Sequence, residues 1–289
     1  GLLVYISIFL FTIINKTADE NLHLNTIIVS VLPLIMISSS EDIFHNVKPL
    51  IRFISIIISA TILLNLSKIP LPSVELFFLN FLLEVEFMKF FFFILCITSL
   101  SNGMNIIDGT NGLLGFTALF QILSLTFLAF TVNDFNVIDL CIIILLPLMV
   151  YLFFNFPFGK IFAGDTGAYF FGFIIGFSVI LFFGKHPELN SWNAVLILFY
   201  PIFELIFSFF RKILYKKSPF EPDPYHLHLK IFFYIDDKYK LKKLANNLTT
   251  VSLSCLWLLP ILILPFVYKN TVLILFSILI LIIIYLLIY

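Results

Sequence analysis

Long apolar runs broken by short polar stretches set the pattern of this chain. The runs lie at roughly 1–15, 24–40, 50–67, 84–103, 113–132, 137–154, 167–184, 192–210, 248–268 and 271–289. Each approaches the ~20 residues that an α-helix needs to cross hydrocarbon. They are continuous rather than alternating with period two, which excludes barrel strands. The expected fold is all-α: a polytopic transmembrane bundle of about ten helices, forming one integral-membrane domain over residues 1–289. The fourth run is the least regular, because Glu84, Glu86 and Lys89 stand at its start. The stretch from Val74 to Leu83 is therefore also readable as an interfacial piece on the far side. No repeat at a solenoid period is visible.

Ten crossings place alternate loops on opposite sides, and the basic residues are unevenly divided between them. Loops near 41–52, 102–112, 155–166 and 211–247 carry Lys48, Arg52, Lys160, Arg211, Lys212, Lys216, Lys217, Lys230, Lys238, Lys240, Lys242 and Lys243. The other side carries Lys16, Lys68, Lys89, Lys185 and Lys269. By the positive-inside rule the first side is cytoplasmic, and both chain ends lie there too. Composition agrees with a membrane protein: 61% of residues are hydrophobic and 12% charged, against about 25% charged in soluble domains. Seventeen basic residues balance seventeen acidic ones, so no net field draws a nucleic acid, and any phosphate chemistry is local. Cys96, Cys141 and Cys255 all sit in apolar runs, where they read as small hydrophobes. Gly1 opens directly into an apolar run without an initiator Met or a signal-peptide pattern. The expectation is a chain short of one helix and one loop at its start.

Residues able to do chemistry gather on the basic side. They are Glu41 and Asp42; the stretch from Asn102 through Asn105, Asp108 and Asn111 to Gly112; Asn155 and Lys160; Gly164-Asp165-Thr166-Gly167; and His226 and His228. Acids at a membrane edge are costly to desolvate and repel one another unless a cation compensates. Asp42, Asp108 and Asp165 are all oxygen donors, which suits Mg2+ or Mn2+ better than zinc. Mg2+ keeps waters and shares itself with substrate phosphates, so a diphosphate is the expected ligand. Asn102, Asn105, Asp108 and Asn111 recur every three residues, which sets them along one helical face until the glycines break it. The plain alternative is a capped helix end. Gly164 and Gly167 let a phosphate approach a helix N-terminus, although Asp165 as an ordinary N-cap explains the same residues. Nine basic and four acidic residues between Arg211 and Lys243 fit a solvated loop touching anionic lipid, which leaves the two histidines unexplained. They are expected to contact phosphate rather than ligate metal. Glu204 and Arg211, seven apart on one helix, read as a structural pair.

Taken together these residues resemble a known family. Residues 102–115 resemble its "NxxNxxDGxDGL" motif, 155–168 its "NFPPAKIFxGDxGS" motif, and 41–52 its "DDxxxxxxKxR" loop. Pro201, Glu204 and Arg211 resemble "PxxDxxxxxxR", and Asp223 with His226-Leu227-His228 resembles "DxxHxHH". The family is the polyprenyl-phosphate N-acetylhexosamine-1-phosphate transferases of glycosyltransferase family 4. The resemblance implies eleven helices in the full pattern and transfer of a sugar-1-phosphate from UDP-N-acetylhexosamine to undecaprenyl phosphate, releasing UMP. It places the reaction on the cytoplasmic face of the bacterial inner membrane and names Mg2+ as cofactor. It further implies the bilayer as partner and allows a homodimer, with no nucleic acid. On the family pattern Asp165 and Asp108 bind metal, Asp42 positions or deprotonates the prenyl phosphate, and Asn102 and Asn105 serve nucleotide and metal. Glu41, Asn111, Asn155 and Gly164 join the substrate site, Lys48, Arg52 and Lys160 meet phosphates, and His226 and His228 meet phosphate or the sugar end.

Glu41, Asn111, Glu204, Ala168 and Leu229 depart from the motifs, and the basic "PTPRxGG" loop expected before the first run is not in the sequence. The "HHHFE" run of the peptidoglycan branch is missing after residue 211, which favours the branch that starts O-antigen and other surface polysaccharides. Phospho-N-acetylmuramoyl-pentapeptide transfer is the alternative within the family. A secondary transporter or lipid flippase is the alternative from another class, disfavoured because the acids collect at one surface and no inverted repeat is seen. An inactive structural relative is the third.

Overall fold

A computed structural model describes residues 2–14, 23–74, 80–218, 221, 223–240 and 242–289. The described residues form helices and no strand. The first six helices are α1 (Leu2–Ile14), α2 (Leu24–Ser30), α3 (Leu32–Phe44), α4 (Pro49–Ser67), α5 (Asn80–Leu83) and α6 (Glu86–Ile107). Next come α7 (Leu113–Thr131), α8 (Phe135–Asn155), α9 (Gly164–Lys185), α10 (Trp192–Ile197) and α11 (Phe199–Leu214). The chain closes with α12 (Leu227–Tyr239), α13 (Lys242–Ser252), α14 (Ser254–Val267) and α15 (Thr271–Ile288). It is thus an all-α, multi-pass membrane protein.

Every expected apolar run is represented by helix, but the expected ten crossings do not all appear as continuous spans. Among the described residues seven helical stretches are long and apolar enough to cross a membrane, or eight if α2 and α3, bent by 48°, count as one. The described part of α1 has 13 residues, about 20 Å at 1.5 Å per residue. The expected span at 192–210 is interrupted at Leu198 between α10 and α11. The expected loop at 211–247 is largely helical, holding α12 and the start of α13. Of the suggested interfacial piece at 74–83, Val74 and α5 are described and residues 75–79 lie outside the described residues.

Hydroxyls inside the spans bond back along their own helices, as Ser38 does to the Leu34 carbonyl at 2.7 Å and Ser178 to that of Ile174 at 2.8 Å. Both serines are buried inside the bundle, and these bonds satisfy their hydroxyls there. The centre of the bundle is α9, whose span is 94% buried inside the protein. It packs against α3, α4, α6, α7 and α8. Its closest neighbour is α6: a Cβ on Gly172 would stand 2.5 Å from the Ser101 Cα, so only glycine lets the two backbones meet.

Polar loops gather at the two ends of the bundle. At one end Ser191 Oγ donates to the Ser73 carbonyl at 2.6 Å, Asn190 Nδ2 to Thr271 Oγ1 at 2.7 Å, and His186 Nε2 lies 2.9 Å from Asp134 Oδ2. At the other end the segments near 41–52, 102–112, 155–166 and 211–250 come together around the N-terminus of α9.

Candidate active site

The start of α9 organises the site. Gly164 opens this helix from the left-handed region at φ +66°, and a Cβ there would lie 2.8 Å from Asp42 Oδ2. The N-cap position is Ala163, which has no side-chain acceptor for the first helical N–H groups. Asp42, from α3, fills that role across 123 residues of chain: its Oδ1 accepts from Asp165 N at 2.8 Å, and its Oδ2 from Thr166 N at 3.1 Å and Thr166 Oγ1 at 2.5 Å. A carboxylate at a helix N-terminus is also favoured by the helix dipole. The N-cap reading of Asp165 therefore gives way to an N-cap supplied by Asp42.

Asp165 lies in the first turn and is held from two helices. Arg52 Nη1 of α4 donates to its Oδ2, and Asn105 Nδ2 of α6 donates to its Oδ1 at 3.0 Å. The Arg52 guanidinium also lies 3.9 Å from Glu41 Oε1, while Glu41 Oε2 accepts from Val47 N at 2.7 Å and closes the 41–47 turn. Arg52 Nε is buried without a partner. The cluster thus has one guanidinium among three acids.

Asp108 completes it from the C-cap of α6. No hydrogen bond to another described residue satisfies its carboxyl. Burial, with Asp165 and Asp42 adding like charge, pushes it up to about 7. Among the described residues no three His, Cys, Asp or Glu side chains converge into a metal cage. The donors nevertheless fit a hard cation that keeps most of its waters: all are oxygen, and one, the half-buried Asp108, has two like charges beside it. The spacing of three led to only part of this. Asn102 Nδ2 bonds back to the Thr98 carbonyl at 2.8 Å, and because α6 ends at Ile107, Asn111 leaves the face altogether.

The two histidines stand on the other flank of the Asp108 loop. Their rings stack at 5.9 Å and 6°. His228 is buried, its Nε2 lies where a Cβ on Gly109 would be, 2.1 Å away, and its Nδ1 has no partner. Burial lowers its titration to about 4, so it is neutral at physiological pH. His226 Nδ1 donates to Glu204 Oε1 at 2.9 Å, while Tyr285 of α15 donates to Glu204 Oε2 at 2.7 Å. Glu204 has no exposure at all. The expected pairing of Glu204 with Arg211 is not formed. Arg211 points outward to Asp223, the Tyr225 carbonyl and Tyr289 Oη, because the buried carboxylate is already satisfied from α12 and α15.

Other expected contacts prove to be ties between loops. Asn155 Oδ1 accepts from Gly112 N at 2.5 Å and its Nδ2 donates to the Ile161 carbonyl at 2.7 Å, joining the second and third loops. Asn111 is clasped by α13, receiving Thr250 on its carbonyl at 2.7 Å and giving its N–H and amide to Asn246 and Asn247 at 2.6 and 3.1 Å. Asn246, Asn247, Thr250 and Tyr285 were not foreseen from sequence. The first two form an exposed-looking Asn pair in a basic stretch, and nothing in their spacing marks them. Lys48 and Lys160 are exposed, and Lys160 Nζ lies 5.3 Å over the Phe158 ring.

Capping predicts its own mutational signature. Asp42→Ala is expected to lower stability by about 1 kcal/mol and the reaction rate by roughly 10-fold or more through the displaced Asp165, whereas Asp42→Asn retains an acceptor and most of both. Thermal unfolding and turnover together read this out. A rate loss of about 10³-fold in Asp42→Asn at unchanged stability would mean that Asp42 acts on substrate instead.

Residues 24–183 match the model of glycosyl transferase family 4. The chain is 29% identical over 157 residues to a Bacillus subtilis protein named probable undecaprenyl-phosphate N-acetylglucosaminyl 1-phosphate transferase, covering 53% of this chain and 43% of that one. It is 32% identical over 139 residues to the undecaprenyl-phosphate alpha-N-acetylglucosaminyl 1-phosphate transferase of Thermotoga maritima, covering 47% and 41%. It is 30% identical over 168 residues to the phospho-N-acetylmuramoyl-pentapeptide-transferase of Petrotoga mobilis, covering 58% and 51%. The matches span about half or less of each relative's length.

Proposed function

The chain belongs to glycosyl transferase family 4, and from that premise we propose that it transfers an N-acetylhexosamine-1-phosphate from a UDP-sugar to undecaprenyl phosphate. The products are undecaprenyl-diphosphate-sugar and UMP, and the reaction opens the synthesis of O-antigen or another surface polysaccharide. The observation that carries this reading is the meeting of Asp42, Asp108 and Asp165, from three helices, at one membrane edge with Arg52 paired to Asp165. The basic bias of that edge supports a cytoplasmic face of the bacterial inner membrane.

A prenyl phosphate oxygen attacks the sugar-bearing phosphorus in line with the departing UMP, so one P–O bond forms as another breaks. Asp108 and Asp165 would hold Mg2+, which when bound neutralises charge on the diphosphate. Arg52 holds Asp165 in place and adds positive charge beside the phosphates; Asn105 fixes the other Asp165 oxygen. His226, pinned through Nδ1, keeps Nε2 for phosphate or sugar. Positioning and preorganised charge lower the barrier. Direct transfer is favoured over an aspartyl intermediate at Asp42, whose two oxygens already accept three hydrogen bonds. The names of the Bacillus and Thermotoga relatives support N-acetylglucosamine as the sugar; the Petrotoga relative supports the muramoyl-pentapeptide branch less, since the chain lacks that branch's histidine run.

Membranes containing the protein, given undecaprenyl phosphate and labelled UDP-sugars with and without Mg2+, test the proposal. UMP release with UDP-N-acetylglucosamine and none with UDP-N-acetylmuramoyl-pentapeptide is the expected result. Release with neither donor in the presence of Mg2+ would sink it.

A further inference from the structure

At the end of the bundle away from the carboxylates lies a polar cavity of about 510 Å³, with Ser73, Glu188, Asn190, Ser191, Tyr268 and Lys269 among its walls. A second cavity, about 370 Å³, runs down the bundle between α6, α9, α10 and α11, where Phe92, Phe183, Val195, Ile202 and Ile206 line it. Its polar atoms are few, at Ser99, Ser191 and the Cys96 thiol. The two cavities adjoin. Ser191 lines both, and the stretch Pro72-Ser73-Val74 gives Ser73 to the polar one and its two neighbours to the apolar one. Neither is lined by Asp42, Asp108, Asp165 or another residue of the candidate active site.

A polar recess leading into an apolar groove at membrane depth has the chemistry of a site for an amphiphile. Its length narrows the class. The α6 wall runs from Phe92 to Leu100 and the α9 wall from Gly176 to Phe183, about 10–12 Å at 1.5 Å per residue, within one half of the ~30 Å hydrocarbon. That depth accommodates an acyl chain of a single leaflet. The head is narrowed by charge. Lys269 is an exposed wall residue whose Nζ lies 5.3 Å over the Tyr268 ring, and Glu188, whose side chain is 58% exposed, has only its Oε1 engaged, by His186 at 3.0 Å. One cation and one carboxylate match a head that carries a phosphate and an ammonium; a purely anionic head would meet Glu188 uncompensated.

We propose that the joined cavities bind one phospholipid with a zwitterionic phosphate–ammonium head, placing its phosphate at Lys269, its ammonium at Glu188 and one acyl chain between α6, α9, α10 and α11. The site lies in the leaflet opposite the carboxylate cluster. It holds a structural or regulatory lipid rather than the phosphate acceptor of the reaction.

Native mass spectrometry of the full chain released from micelles, titrated separately with phosphatidylethanolamine, phosphatidylglycerol and a long-chain polyprenyl phosphate, tests this. The expected result is a saturable single phosphatidylethanolamine adduct, tighter than phosphatidylglycerol. It should weaken about tenfold in Lys269→Glu, the loss of one charge-assisted contact, and be lost in Val195→Trp, which fills the groove from an already exposed position. Unfolding in lipid-free micelles checks that both variants fold. Phosphatidylethanolamine bound no better than phosphatidylglycerol, adducts insensitive to both substitutions, or one-for-one displacement by polyprenyl phosphate would each overturn the proposal. None of these outcomes depends on turnover, so they do not bear on the transferase reading.

Discussion

Asp108→Asn is expected to cut UMP release by about 10³-fold while leaving the protein as stable as before near pH 3.5, below the unfolded carboxyl value, and more stable at pH 8 without Mg2+. Asp108 is a half-buried carboxyl that accepts no hydrogen bond from another described residue, raised to about 7 by desolvation and by the neighbouring Asp165 and Asp42. A carboxyl raised in the folded state is protonated in both states below about pH 4, so it costs nothing there. Its penalty grows as pH rises through that range and is complete above the folded value. An amide of the same shape removes the charge and, with it, on the order of 1–3 kcal/mol of penalty. Unfolding midpoints at the two pH values, with turnover measured alongside, check both halves. A residue kept at a cost to the fold and needed for turnover is one whose charge serves a ligand. Equal loss of stability and activity in Asp108→Asn would mean that the carboxyl is structural.

Glu204→Ala is expected to destabilise the protein by about 3–5 kcal/mol, the scale for removing one partner of a buried ionic network. The change strands His226 Nδ1, Tyr285 Oη and Ser208 Oγ, which converge on Glu204 from 2.9, 2.7 and 3.3 Å. Glu204→Asp keeps the charge but shortens its reach, and is expected to retain the fold while raising KM for the nucleotide sugar, because His226 loses its fixed orientation. Thermal unfolding separates the first variant, and steady-state kinetics the second. A Glu204→Ala protein that melts with the wild type would show that the network contributes little.

Much of this architecture is written in the sequence at the level of periodicity. Apolar runs near 20 residues leave few alternatives to membrane helices, so the positions of α4, α6, α7, α8, α9 and α15 follow from run length alone. Breaks inside runs are harder to place: Pro33 and Pro201 stand in the first turns after Val31 and Leu198 and each removes a helical donor, yet Pro147 lies inside the unbroken α8. The acids were legible because an Asp at the end of an apolar run has few bland uses. Their division of labour was not. Nothing in the order of residues indicates that Asp42 caps a helix begun 122 positions later, or that Asn155 holds a loop instead of a ligand. Those roles depend on which lone pairs remain after folding, a property of contacts between segments. The same holds for Glu204 and Arg211, which are well spaced for each other yet each better served elsewhere.

Because α9 is 94% buried while the span of α15 is only 22% buried, the two helices answer to different environments. A lipid-facing helix tilts or shifts when acyl chains are shortened or lengthened. A helix wrapped by other helices takes its depth from them. Asp165 therefore sits at a height set by Gly172, Ser101 and the side chains around them, and a thinner or thicker bilayer will tip the outer staves of the bundle without moving the carboxylate relative to Asn105 and Arg52.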